Sequence, residues 1–172
     1  LELHSHLLKV ERGVQEALER VAHLVEEKGI QLIEENRLPD DLELNVDTEV
    51  FQQIVFNLLI NAIHYGGAGK KILVKTDLSA DKKLTLAIAD QGTQLSYLEQ
   101  RRIFQPLVRL DQHRGLVDGL GIGLTLSREL ASVMNGHLDI LTGEDAIEVD
   151  GVKGNTFLLS FDLKKNELVH TH

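Results

Sequence analysis

The chain has 172 residues, 42% of them hydrophobic and 26% charged, with 27 acidic against 18 basic side chains and a net charge of -9. That length suits one domain with a real core, and the acidic surface repels phosphate backbones, which argues against nucleic acid as a partner. Cysteine is absent, which excludes disulfides and thiolate metal sites and fits a reducing compartment; no apolar run reaches membrane-spanning length and no signal peptide is visible.

Residues 1–9 read as a linker carrying His4 and His6. Val14, Ala17, Leu18, Val21, Leu24 and Val25 then recur at helical spacing, with Gly29 as a stop. Residues 30–34 read as a short strand. A turn through Pro39 and Asp40 leads to a second strand on Leu42, Leu44 and Val46. Asp47 is placed to N-cap a long apolar helix running through Tyr65 and ending at Gly66-Gly67. Residues 71–77 and 83–89 alternate as the arms of an antiparallel hairpin, and Ser96 with Glu99 resembles a capping box opening a short helix toward Phe104. Between residues 105 and 119 periodicity is lost, the pattern of a functional lid, which is expected to be mobile without its ligand. Leu126, Leu130, Val133 and Met134 restore a helix over 123–135, closed by Asn135-Gly136. Strands over 137–141 and 156–163 finish the domain, and residues 165–172 read as a polar tail. This order suggests helices packed on one face of a mixed sheet.

Four features carry chemistry. Asn57 and Asn61 sit one turn apart in an otherwise apolar helix, and His64 and Tyr65 continue their face. Asparagine is a mediocre helix former, and its amide carbonyl is a hard oxygen suited to Mg²⁺ that keeps its waters and nucleotide phosphates; a merely wet polar face is the competing reading. Asp90-Gln91-Gly92 follows a strand, where a carboxylate can accept from an adenine amino group and a glycine lets backbone approach a flat base; an ordinary turn competes. Gly119-Leu120-Gly121-Ile122-Gly123-Leu124 opens a helix, exposing backbone N–H groups to phosphate. Its spacing does not fit the dinucleotide fingerprint. Last, Gly154-Asn-Thr-Phe157 leads into the final strand, and Thr156 would come near Asp90 if the two strands are neighbours.

In this order and at these separations, the four features resemble the catalytic domain of sensor histidine kinases, within the Bergerat-fold (GHKL) ATPase superfamily that also holds gyrase B and Hsp90. The likeness runs from about Val10 to Leu163. It implies an α+β fold: a two-layer sandwich in which about three helices cover one face of a mixed, mostly antiparallel sheet. It implies that Asn61 holds Mg²⁺ with Asn57 assisting, and that His64 and Tyr65 lie beside the nucleotide. Asp90, Gly92 and Leu95 would form the base site with Thr156, and Phe104 would stand at the foot of the lid. Residues Gly119, Leu120, Gly121, Ile122, Gly123 and Leu124 would close over the phosphates.

The ATP-hydrolysing relatives carry a glutamate where this chain has Asn57, and a carboxamide cannot act as a general base. The resemblance therefore implies transfer of the γ-phosphoryl group of Mg-ATP to a histidine on a separate dimerisation domain, with a response regulator downstream. It also implies a cytoplasmic domain with no direct membrane contact, whose parent could be membrane-anchored. Neither His4 nor His6 fits the family's acceptor pattern, and His113, His23, His137, His170 and His172 read as solvated. Three departures keep an alternative open, a degenerate module that senses nucleotide or docks partners without catalysis. Gln94 stands in place of a glycine, which would put a bulky side chain near the base. His64 replaces a permanent cation with a titratable one, and Leu107 replaces an aromatic.

Overall fold

The computed structural model describes residues 2–67, 70–104 and 122–170, the side chains at 122 and 167–170 excepted. Strand β1 (Ser5–Lys9) runs directly into helix α1 (Val10–Glu27), which ends before Gly29 at φ +65. Strands β2 (Gln31–Asn36) and β3 (Glu43–Asp47) come next, then helix α2 (Thr48–Gly66) and the hairpin of β4 (Lys71–Leu78) and β5 (Lys83–Ala89). Helices α3 (Tyr97–Ile103) and α4 (Ile122–Val133), strands β6 (Gly136–Leu141) and β7 (Thr156–Asp162), and helix α5 (Leu163–His170) complete the chain.

Five strands form the main sheet in the order β2-β4-β5-β7-β6, with β2–β4 the parallel pair and the other neighbours antiparallel. Strand β5 is thus central, and the turn after Ala89 emerges in the middle of one sheet end. Helices α1 and α4 both pack against α2. The apolar positions of α1 (Val10, Val14, Ala17, Leu18, Val21) recur every three to four residues and are all buried, as an amphipathic helix requires. Phe51, Ile54, Leu58, Leu59 and Ile63 of α2 are almost completely enclosed. Truncating one of these to Ala typically costs about 2–5 kcal/mol, so α2 is firmly held in the core. No helix among the described residues is long and apolar enough to cross a membrane.

The caps form as the sequence suggests. Asp47 Oδ1 accepts from Val50 N at 3.1 Å, and Ser96 with Glu99 makes the reciprocal capping box of α3. Two terminal segments differ from expectation. Residues 5–9, read as linker, pair antiparallel with β3 in a separate two-stranded sheet. Part of the expected tail is α5, whose Asn166 accepts from Asn45 N and donates to Asn45 O, both at 2.8 Å. One side chain there serves as a missing strand neighbour for β3.

Candidate functional site

Asn57 and Asn61 both lie on α2, yet their surroundings differ. Asn61 is 0% exposed. Its Nδ2 donates to Asn57 O at 2.7 Å, while its Oδ1 is buried with no hydrogen-bond partner. The Asn57 amide is engaged at both ends: Oδ1 accepts from Gln53 Nε2 at 3.0 Å, and Nδ2 donates to Ser127 Oγ at 3.0 Å and reaches Gly123 O at 3.5 Å. Asn57 thereby fastens α2 to the start of α4. A Cβ at Gly123 would stand 3.2 Å from Asn57 Cγ, so a glycine there brings the two helices close.

Asp90 comes directly after β5 and is 0% exposed. Its Oδ1 accepts from Gly92 N and Asn155 N, each at 2.9 Å, and its Oδ2 has no partner. Burial pushes this carboxyl above the ordinary aspartate range, against the opposing N–H bonds from Asn155 and Gly92. Asn61 Oδ1 and Asp90 Oδ2 are the two buried side-chain polar atoms without a partner among the described residues. An unmet buried acceptor costs about 1–3 kcal/mol, so each calls for a donor or a cation. A neutral amide oxygen on a rigid helix fits a hard divalent ion; a lone carboxylate oxygen fits an amino group.

Backbone contacts join the elements that carry these two acceptors. A Cβ at Gly66 would lie 3.1 Å from Asp90 Cβ, and one at Gly92 would lie 1.9 Å from Tyr65 O. The end of α2 therefore rests on the turn that carries Asp90. Asn61 is five residues before Gly66, about 7.5 Å back along the helix axis.

The other predicted positions sort around this pair. Thr156 is opposite Ala89 across β7–β5, which puts it beside Asp90; its Oγ1 accepts from Ile147 N at 2.9 Å. Tyr65 is half-buried, its ring 6.4 Å from that of Phe157, and burial together with the charge of Glu99 raises its phenol. His64 is exposed, and partial desolvation with the positive charge of Lys28 lowers its pKa. Leu95 and Leu124 are in the core. Phe104 lies under the Arg128 guanidinium, 4.2 Å from the ring centroid. The Gln94 amide donates to Lys153 O at 3.0 Å on the exposed side. Gly119, Leu120 and Gly121, Leu107, His113 and the rest of residues 105–121 lie outside the described residues, as do His172 and the side chain of Ile122.

A cleft of about 770 Å³ opens between α3, α4 and β6, lined in part by Tyr97, Arg101, Phe104 and Arg128; none of Asn57, Asn61 or Asp90 lines it. Sequence reasoning missed two residues, Ser127 and Asn155, both 0% exposed. Their signals were faint: Ser127 is one turn after Gly123 on the same helix face, and Asn155 interrupts an otherwise unremarkable Gly-Asn-Thr run.

The family of histidine kinase-, DNA gyrase B- and HSP90-like ATPases matches residues 46–165. The chain is 30% identical over 146 residues to the autoinducer 2 sensor kinase/phosphatase LuxQ of Vibrio vulnificus, across 82% of this chain and 16% of that protein. It is 34% identical over 119 residues to the sensor histidine kinase YcbM of Bacillus subtilis, across 67% of this chain and 37% of that protein. It thus spans well under half the length of these relatives. Among solved structures, the catalytic domain of histidine kinase ThkA superposes with a TM-score of 0.73 at 18% identity, covering 94% of this chain and 96% of that one. The mycobacterial sensor histidine kinase MprB gives 0.72 at 18% identity, over 92% and 97%. These two likenesses speak for a common fold.

Proposed function

The chain belongs to the histidine kinase-, DNA gyrase B- and HSP90-like ATPase family, and from that membership we propose that it binds Mg-ATP and passes the γ-phosphoryl group to a histidine on a separate dimerisation domain. The observation that carries this reading is the pair of buried, unpartnered acceptors on α2 and after β5. In it, Asn61 Oδ1 holds the metal ion, which supplies positive charge to the phosphates. Asp90 Oδ2 receives the adenine amino group, with Gly92, Leu95 and Thr156 around the base. Tyr65 and Phe104 lie at its margins, and Gly123 belongs to the N-terminus of α4, where backbone N–H groups favour phosphate. Gly119 and Gly121 extend that phosphate contact in sequence.

Asn57 argues for transfer over hydrolysis. Its carboxamide takes no proton, and its hydrogen bonds to Gln53 and Ser127 hold it as a fastener between helices. Catalysis then consists of positioning and electrostatics, as phosphoryl transfer allows. A response regulator would receive the phosphoryl group next.

Calorimetry with Mg-ATP tests the binding half. The unaltered chain should bind, and a variant with both Asn61→Asp and Asp90→Ala should not; equal affinities would refute the reading. For the transfer half, the chain joined to its native dimerisation helices should label a histidine from γ-labelled ATP. The product should be acid-labile and base-stable, and label surviving acid would point to another acceptor.

A further inference from the structure

Asn155 is fully buried at the start of β7, and it makes four hydrogen bonds to a single short segment. Its backbone N donates to Asp90 Oδ1 and its backbone O accepts from Asp90 N, both at 2.9 Å. Its side-chain Oδ1 accepts from Leu95 N and its Nδ2 donates to Thr93 O, again both at 2.9 Å. We propose that Asn155 is the positioning residue of base recognition, locking residues 90–95 so that Asp90 presents Oδ2 alone to an exocyclic amino group. This inference rests on the nucleotide reading above.

A carboxylate can accept at either oxygen, and a freely rotating one would offer both to a ligand. Here Oδ1 is filled by two N–H donors, one of them from Asn155, so the carboxylate plane is fixed and the remaining acceptor is single and directional. The backbone bonds alone would leave the turn after Asp90 free to drift. The carboxamide prevents this by bridging Thr93 O and Leu95 N, a task that needs a donor and an acceptor on one planar group. Aspartate lacks the donor, and serine is too short to span both. The neighbouring Gly154 tightens the seat, because a Cβ there would lie 2.5 Å from both Asp90 O and Asp90 Oδ1. The chain passes directly over the carboxylate, and loosening at Asn155 is transmitted to Asp90 with nothing to absorb it.

The probe is purine riboside triphosphate, which is ATP without the 6-amino group. With Mg²⁺ present, the unaltered chain should prefer ATP by about tenfold or more, the value of a hydrogen bond to a charged group. In Asn155→Ala and Asn155→Ser that preference should fall to within about threefold, through loss of ATP affinity. A purely structural role would weaken both nucleotides by the same factor and leave the preference intact, and that result overturns the inference while leaving the base assignment standing. An unaltered chain that shows no preference overturns the base assignment itself, and this inference with it. Should neither variant fold, amide NMR on the unaltered chain decides. The Leu95 and Asn155 N–H resonances should move with ATP and stay nearly still with purine riboside triphosphate; equal movement with both overturns the proposal.

Discussion

The two ends of α2 use the same side chains to opposite effect. At the N-terminal end, Asp47 accepts from Val50 N with one oxygen and from His4 N with the other, and Asn166 spends both ends of its amide on Asn45. Toward the C-terminal end, Asn61 satisfies only its nitrogen, and the adjoining Asp90 only one of its oxygens. The charge environments diverge as well. At Asp47 burial alone would raise the carboxyl, but N–H bonds from His4, Val50 and Glu49 and the charge of His4 outweigh it and hold it below the ordinary range. At Asp90 burial prevails. Polar groups that serve only the fold are completed by the fold; those left incomplete mark where a ligand is to finish the network.

The sharpest way to break this contrast is Asp90→Asn. Because Oδ1 is claimed by two N–H groups, the new amide keeps its oxygen there and turns its NH₂ toward the base. A donor then faces a donor, so ATP affinity should fall roughly a hundredfold, while inosine triphosphate, whose 6-oxo group now meets a donor in place of an acceptor, should bind as well or better. Isothermal titration of both nucleotides reads this directly, and an unchanged ATP affinity would remove Asp90 from the site.

Next in size is Asn61→Leu. Nucleotide affinity should become the same with Mg²⁺ as with a chelator, yet urea denaturation should show stability held or raised by up to about 1 kcal/mol, since an orphaned acceptor is replaced by an apolar group. Asn166→Ala should do the reverse. Stripping both partners from Asn45 should cost about 1–2 kcal/mol and leave ATP binding alone. If Asn61→Leu proves the more destabilising of the two, the distinction between complete and incomplete ends is lost.

The smallest effects are in pH dependence, where the two aspartates have opposite signs. The folded pKa of Asp47 lies below its unfolded value, so its contribution is present above the unfolded pKa and fades as pH falls through the folded one. Asp90 lies above its unfolded value, so its ionisation opposes folding at neutral pH and the penalty lifts as pH falls through its raised pKa. In urea melts from about pH 3 to 7, Asp47→Asn should be less stable than wild type at the upper end and Asp90→Asn more stable, with both differences shrinking in acid. Two differences of the same sign would contradict the assignment.

Much of this was legible in the sequence because it is local. The Asp47 cap, the capping box at Ser96 and Glu99, the β4–β5 hairpin and the apolar stripe of α2 each depend on residues within a few positions of one another. So does the placement of Asn57 and Asn61 on one face. Strand β1 was illegible because only Leu8 of its residues is buried, and it has no pattern apart from its distant partner β3. Helix α5 hid for the same reason, its docking residue Asn166 finding Asn45 across 121 positions. In the site, sequence located Asn57 but not its neighbours: that its amide is occupied by Gln53 and Ser127 depends on how α4 crosses α2. Asn155 likewise becomes meaningful only once β7 lies beside β5.

The contact at Gly92 has a mechanical consequence. With no room for even a methyl group between this residue and the Tyr65 carbonyl, helix α2 and the turn after β5 are in direct backbone contact, and displacement of one is opposed by the other. Helix α4 is joined to α2 through side chains, Asn57 donating to Ser127, and so is α1, through Gln52 with Glu16 and Arg20 over Phe56; a conformational input can be carried by either helix.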